Sequence, residues 1–346
     1  MLKEYTFKQP DDWHLHLRDH HIMRAVLPFS ARVFRRAIVM PNLSPPVYSA
    51  EDALAYRNRI IDALPTGVNF TPLMTAYLAD HTDPDDLITA FKNKIFTAAK
   101  LYPAGATTNS EFGVSDISRI TSVLSAMQEA RMPLLVHGEV NNPGIDIFDR
   151  EKVFIEIVMK PLRYEFPDLR VVFEHITTEE AVGFVSSAGS NIAATITPHH
   201  LVMNRNALLA GGIRPHYYCL PVAKREHHRL ALRAAATSGD ASFFLGTDSA
   251  PHFSSDKESS CGCAGIFNAP SAIEIYAEVF EEEGKLDQLE KFSSLNGPNF
   301  YELAANEDTI TLVRCERRAK PVIEVGSEKI VSFAYGRNPS WSVLAA

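Results

Sequence analysis

Eight short apolar runs, each followed by a longer amphipathic stretch, restrict this chain more than any other feature of its sequence. The runs end in Trp13-His14-Leu15-His16, Ala37-Ile38-Val39-Met40, Asn69-Phe70-Thr71-Pro72 and Thr97-Ala98-Ala99-Lys100. They continue with Leu134-Leu135-Val136-His137, Val171-Val172-Phe173-Glu174-His175, Ile192-Ala193-Ala194-Thr195-Ile196 and Phe243-Phe244-Leu245-Gly246-Thr247-Asp248. Between them, stretches such as Ser115 to Ala130, Asp149 to Phe166 and Lys224 to Ser238 place apolar residues at three- and four-residue steps, the period of a helix. Eight strands, each followed by a helix, predict a closed (β/α)8 barrel of the TIM type. The 346 residues fit one such barrel, read here as a single domain, with an appendage.

A doubly wound open sheet is the rival for any alternating pattern, and the ends of the runs weigh against it. Six residues able to bind metal, His14, His16, Lys100, His137, His175 and Asp248, close apolar runs. In a barrel those ends converge on one mouth, where active sites of this architecture sit; in an open sheet they spread along an edge. No glycine-rich phosphate fingerprint follows the first strand, which weakens a nucleotide-binding sheet further.

Each of the six has a bland reading beside the chemical one. His14 and His16 are two apart on a strand and so project from one face, where two neutral imidazoles can bind one divalent ion such as zinc. A chance spacing in a chain of 13 histidines would look the same. His137 and His175 stand where a core residue is normally aliphatic, and a buried imidazole needs a hydrogen-bond or metal partner. Asp248 reads as a helix cap ahead of Ser249-Ala250-Pro251, or as a carboxylate that ligates a metal and takes a proton from water. Lys100 reads as a substrate anchor or a snorkelling side chain. As an ammonium it would repel nearby cations, so between two metals it must be neutral.

The formal net charge of −8 argues against a nucleic-acid or anionic-membrane partner, since both need clustered Lys and Arg. No secretory leader and no apolar run of membrane-spanning length is visible. Cys219, Cys261, Cys263 and Cys315 form no disulfide framework, which points to reduced thiols in a cytoplasm. Beyond Asp248 a polar loop precedes helices near Ala269–Glu283 and Leu286–Ser293. From Thr309 the chain turns to β-branched alternation (Thr309–Val313, Pro321–Val325), read as a small C-terminal extension from about residue 305 with no chemistry of its own.

The run Asp12-Trp13-His14-Leu15-His16-Leu17-Arg18 resembles the D-x-H-x-H-x-R start of the amidohydrolase superfamily, and specifically of its dihydroorotases. Met40-Pro41-Asn42, Lys100 to Asn109, His137-Gly138-Glu139, Glu174-His175 and Gly246 to His252 carry the same likeness, which is to the shorter bacterial and fungal type. The resemblance implies a cytoplasmic homodimer with two Zn2+ per subunit. His14, His16 and Asp248 would hold the buried ion and His137 and His175 the more exposed one. Lys100, as N6-carboxylysine, would bridge the two together with a hydroxide. It further implies that Arg18, Asn42 and His252 bind a substrate carboxylate. Backbone groups at Leu220 and Gly265 would meet the ring or ureido edge, with Ala250 and Ala264 nearby, and Thr107 and Thr108 would lie on a mobile loop. The small-molecule substrate would be N-carbamoyl-L-aspartate or L-dihydroorotate. Hydantoinases and allantoinases share the metals and are the nearest alternative; the carboxylate-binding set discriminates against them. A catalytically silent homologue is a second alternative, and such a chain would be expected to have lost ligands.

Overall fold

The computed structural model describes residues 3–314, 322–333 and 339–344. Its centre is an eight-stranded parallel sheet in sequential order, β2 to β9: Asp12–Leu15, Arg36–Val39, Thr71–Tyr77, Ala98–Leu101, Leu134–Val136, Val171–Phe173, Ile192–Ile196 and Phe243–Leu245. The first and last strands meet. A parallel bridge joins Leu15 to Ser249, Asp248 N–H donates to the His14 carbonyl (2.8 Å) and His16 N–H to that of Ser249 (3.1 Å). The sheet is therefore a barrel, as the eight runs predict, and the bonds that close it are made by candidate site residues.

Helices follow the strands and cover the outside, among them His20–Ala31, Ala50–Asp62, Pro84–Lys92, Thr121–Ala130, Glu179–Ser187, Glu226–Thr237 and Ala272–Glu282. Their starts are set by local chemistry. Ser49 and Asp52 form a reciprocal capping box, and Asp83 caps a helix whose first residue is Pro84. The stretch expected at 149–166 is helical from Arg150 to Glu165, with a π-helical segment at Ile155–Met159.

Inside the barrel, Trp13, Ile38, Met40, Ala98, Leu135, Val172, Ala193 and Phe244 form the layer beneath the mouth, closed from below by Phe300 and Tyr301. Trp13 stacks on Tyr301 with ring centroids 4.3 Å apart. Burying side chains of this size stabilises the fold by about 1.5–3 kcal/mol each. The interior is thus packed below and polar only at its upper end, the condition for ligands held in fixed positions.

Three elements differ from the sequence expectation. The third run was expected to end at Pro72, yet β4 begins at Thr71 and extends to Tyr77. Proline lacks a ladder donor but is tolerated at the start of a strand, so Pro72 marks an entry and not a stop. The helix expected at Leu286–Ser293 begins as a 3-10 turn, passes through a π segment and ends as Asn296–Tyr301, because its aromatic end plugs the barrel. The residues before the first barrel strand form β1, Glu4–Lys8, which pairs antiparallel with β10, Thr309–Arg314; β10 pairs in turn with β13, Trp341–Val343. A hairpin of β11, Val322–Val325, and β12, Glu328–Val331, completes the tail. Pro321 and Cys315 lie outside the described residues.

A candidate metal centre at the barrel mouth

The first strand supplies two imidazoles by means of a bulge. Between Asp12 and Leu15 its register shifts, since Asp12 pairs with Ala37 but Leu15 with Val39. Three steps on one strand oppose two on the other. The extra residue lets Trp13 remain in the interior layer while His14 and His16 both reach the mouth. Asp12 fixes that geometry from below. Its Oδ1 accepts from His14 N–H (3.1 Å) and Thr247 N–H (2.8 Å), and its Oδ2 from the Thr247 hydroxyl (2.6 Å). Asp248 follows with φ +46°, and His175 turns inward with φ +43°. Non-glycine residues adopt this left-handed region at a cost of about 1–3 kcal/mol, so both turns are held by their surroundings.

The ligand atoms converge in two groups. His14 Nε2 and His16 Nε2 are 3.2 Å apart, and Asp248 Oδ1 stands 3.3 and 3.2 Å from them. Donors on one tetrahedral ion with bonds of about 2.0–2.1 Å lie about 3.3 Å from one another, so this triangle has the spacing of a metal site. His137 Nδ1 and His175 Nε2 form a second pair at 3.3 Å, and the His175 ring centroid is 4.9 Å from that of His14. Lys100, wholly buried, reaches Glu174 Oε2 between the groups, with Nζ 5.0 Å from the centre of the Tyr102 ring. His175 Nδ1 is buried with no hydrogen-bond partner among the described residues.

Protonation favours the same reading. Burial pushes His14, His137 and His175 down from the ordinary histidine range, and His16 down to about 3, so all four imidazoles are neutral. Burial alone would raise the Asp248 carboxyl; His14 and His16 overcome it and hold it well below the usual range. Burial likewise depresses the Lys100 ammonium and favours the free amine. Neutral imidazoles, a carboxylate and an uncharged amine are the donor set a divalent cation requires, so the residues fit the metal pair that the resemblance implies.

Two carboxylates prominent in this geometry carried no role in the sequence reading. Glu174 Oε1 lies 3.1 Å from His14 Nδ1, and Glu139 Oε2 lies 2.9 Å from His137 Nε2. Each orients a candidate ligand from its far nitrogen. The sequence carries a signal for one of them: Glu139 lies two residues beyond His137, whereas Glu174 directly precedes His175, and alternation alone would send those two to opposite faces.

Most of the expected substrate residues surround one small cavity, whose lining includes Arg18, Asn42, Thr107, Thr108, Leu220, Ala250, Ala264 and Gly265 together with five of the six candidate ligands, Lys100 and the expected His252 lying outside that lining. Arg18 makes no ion pair with its neighbour Asp19, which is bonded to Arg59 instead (2.7 Å). Arg18 is turned inward at φ +58°, donates to the Pro251 carbonyl (3.1 Å) and lies 2.8 Å from His252 Nε2. Burial and the Arg18 charge push His252 down to about 2. Among the described residues no carboxylate is within ion-pair distance of Arg18, so the cavity holds a guanidinium without a counter-ion.

The loop over the cavity is in contact with it. Asn42 Nδ2 donates to the Thr108 carbonyl (3.0 Å), Asn109 Nδ2 to the Asn42 carbonyl (2.9 Å) and Thr108 Oγ1 to the Ala264 carbonyl (3.3 Å). The Asn42 amide is thus engaged by the loop in this conformation. Gly265 N–H is committed to the Tyr218 carbonyl (3.0 Å). Cys219, Cys261 and Cys263 are free thiols. Buried His199, His200 and Cys219 also lie close together, but both His200 nitrogens are taken, by Thr197 Oγ1 (2.8 Å) and the Pro221 carbonyl (3.0 Å). A larger apolar groove on the barrel flank, lined by Phe154, Ile157 and Leu162, holds no comparable set of candidate ligands among the described residues.

Comparison with known proteins agrees with this geometry. The amidohydrolase family model matches residues 12–311. The dihydroorotase of Nitrosomonas europaea is 58% identical over 98% of this chain and 97% of its own length. The dihydroorotase of Saccharomyces cerevisiae, solved in complex with 5-fluoroorotic acid, superposes with a TM-score of 0.91 at 34% identity, covering 99% of each chain. An L-hydantoinase from Arthrobacter aurescens superposes with a TM-score of 0.76 at 12% identity over 94% of this chain and 85% of its own, a likeness of fold alone.

Proposed function

The chain belongs to the amidohydrolase family and, within it, to the dihydroorotases, and from that premise we propose that its barrel mouth interconverts N-carbamoyl-L-aspartate and L-dihydroorotate, closing the ring with loss of water. The reaction is a step of pyrimidine (UMP) biosynthesis. The observation that carries this assignment is the half-buried Arg18, which has no carboxylate partner among the described residues and lies beside a converged set of candidate metal ligands: a guanidinium without a counter-ion suits a substrate carboxylate, which a plain hydantoin lacks.

His14, His16 and Asp248 would hold one zinc ion, His137 and His175 the second, with Lys100 between them as a carbamate. Two cations so bound would lower the pKa of a water and polarise the carbonyl it attacks. The chain's own residues do the rest. The neutral Lys100 amine is the form that adds carbon dioxide, and an intact-mass measurement finding unmodified lysine in active, metal-loaded protein would remove the carbamate. Arg18, with His252 and Asn42, orients the carboxylate, and backbone groups at Leu220 and Gly265 meet the ring or ureido edge, with Ala250 and Ala264 nearby. In the hydrolytic direction Asp248 takes the proton of the attacking water and returns it to the departing ring nitrogen; ring closure reverses both transfers. The loop bearing Thr107 and Thr108 closes over substrate and excludes water.

The protein acts in this reading as a homodimer in the cytoplasm, and a monomer mass by sedimentation would remove the dimer. Among the described residues no helix is long and apolar enough to cross a membrane. The test of function is dihydroorotate hydrolysis followed in the ultraviolet. Turnover that chelator abolishes and zinc restores is expected; cleavage of a hydantoin without turnover of dihydroorotate would reverse the assignment.

A further inference from the structure

Lys257 ends the short helix Ser254–Lys257 and is 3% exposed, yet no carboxylate among the described residues pairs with it. All three of its ammonium N–H groups are used. They donate to the carbonyls of Tyr218 (2.8 Å), Cys263 (2.7 Å) and Gly265 (2.7 Å), and Nζ sits 5.9 Å from the centre of the Tyr218 ring. Burial pushes the ammonium down to about 8, which leaves it charged at neutral pH. A buried cation without a counter-ion is costly unless every donor is satisfied, and here the acceptors come from two separate segments.

Both segments lead into the substrate cavity. Tyr218 precedes Leu220 by two residues, and Cys263 and Gly265 flank Ala264. The Tyr218 carbonyl also accepts from Gly265 N–H (3.0 Å), so one oxygen ties the turn twice. Gly265 sits at φ +151°, where an added Cβ would stand 2.7 Å from His252 Cδ2 and 2.9 Å from the Ala250 carbonyl oxygen. The turn is pressed against a carboxylate-binding candidate with no room to drift. The Cys263 carbonyl, moreover, belongs to the peptide whose N–H is that of Ala264. A cation on that oxygen polarises the group and strengthens its N–H as a donor.

We propose that Lys257 is a positioning residue for substrate binding: its ammonium clamps the Cys263–Gly265 turn to Tyr218 and so fixes the backbone edge, Leu220 on one side and Ala264–Gly265 on the other, that meets the substrate. The inference rests on the function proposed above for those backbone groups. Its partners all lie in cavity-lining segments or next to them, and none lies in the strands that hold the metal ligands.

The test uses full-length, metal-loaded protein carrying Lys257→Met or Lys257→Arg. For Lys257→Met, KM for dihydroorotate rises about tenfold while kcat stays within about threefold, the split expected when binding and not chemistry is disturbed. Binding of 5-fluoroorotic acid, read by fluorine NMR, weakens by a similar factor. Amide hydrogen exchange at residues 263–266 accelerates. Lys257→Arg keeps the charge and shifts KM by about threefold, so a Met variant that does not fold still leaves a measurable case. Unchanged KM and exchange in the folded variants overturn the inference while leaving the function intact. A loss of soluble, active protein with KM unmoved also overturns it, since that marks a merely structural residue. Wild-type protein that neither turns over dihydroorotate nor binds 5-fluoroorotic acid fails the function itself, and the inference falls with it.

Discussion

One oxygen of Asp248 stands 3.2–3.3 Å from two imidazole nitrogens, and the same side chain is the candidate proton carrier. The two tasks agree, because His14 and His16 hold the carboxylate ionised when no proton has yet been taken. Asp248→Asn keeps the shape and one oxygen ligand but removes the base. Turnover should fall by about 10²–10⁴-fold while elemental analysis finds most of the metal still bound; undiminished kcat would sink the proton-transfer role. The six ligand candidates were legible because an imidazole, lysine or carboxylate ending an apolar run is chemically out of place. Glu174 was not assigned for a physical reason. Strand alternation sends neighbours to opposite faces, so Glu174 and His175 should not share the mouth. The φ of +43° at His175 rotates it back in, and spacing in a sequence carries no sign of such a turn. Lys257 escaped for a different reason, since its three partners are main-chain carbonyls and carry no side-chain signature.

At the scale of elements, the two strands that meet at the seam bear most of the burden. Gly246, just past the last one, packs so closely that an added Cβ would lie 2.7 Å from Thr195 Cβ and 3.1 Å from His14 Cβ. Gly246→Ala should destabilise the fold by about 1–3 kcal/mol and weaken metal binding by displacing His14, read by denaturant titration and metal competition; a variant with wild-type midpoint and affinity refutes that coupling. Eight strands were legible from apolar runs, but the entry of Pro72 into β4 and the pairing of Glu4–Lys8 with β10 were not. The first turns on which edge of a strand a proline occupies, the second on contacts some 300 residues apart. A helix-level prediction follows from Glu226, which Arg229 and Asn204 hold down to about 2 by hydrogen bonds. A carboxyl depressed in the folded state contributes stability above its ordinary value near 4.5, and loses it as pH falls toward 2. The gap in stability between wild type and Glu226→Gln should therefore be flat from pH 7 to 5 and shrink below about 4.5. A gap still constant at pH 3 would show that the pair gives no pH-dependent stability.

For the molecule as a whole, the residues that close the barrel and the candidate metal ligands are largely the same. The seam between β9 and β2 is joined by Asp248 N–H to the His14 carbonyl, His16 N–H to the Ser249 carbonyl and Thr247 to Asp12. Every one of those bonds involves a candidate ligand or its immediate neighbour in sequence or space. A cation shared by His14, His16 and Asp248 would cross-link first strand to last, whereas one on His137 and His175 would join β6 to the turn after β7, strands already paired through a full ladder. Removing the metals should therefore loosen the seam first. A ligand present at about 100 times its Kd adds about 2.7 kcal/mol to the native state, which for a chain of this size raises Tm by roughly 4 °C. Chelation should lower Tm by that amount and speed amide exchange at residues 12–16 and 246–249 before 134–137, and zinc should restore both. Loss of activity with unaltered Tm and exchange would place the functional metal away from the seam, while activity, Tm and exchange all untouched by chelator would leave the converged ligands without a metal to hold.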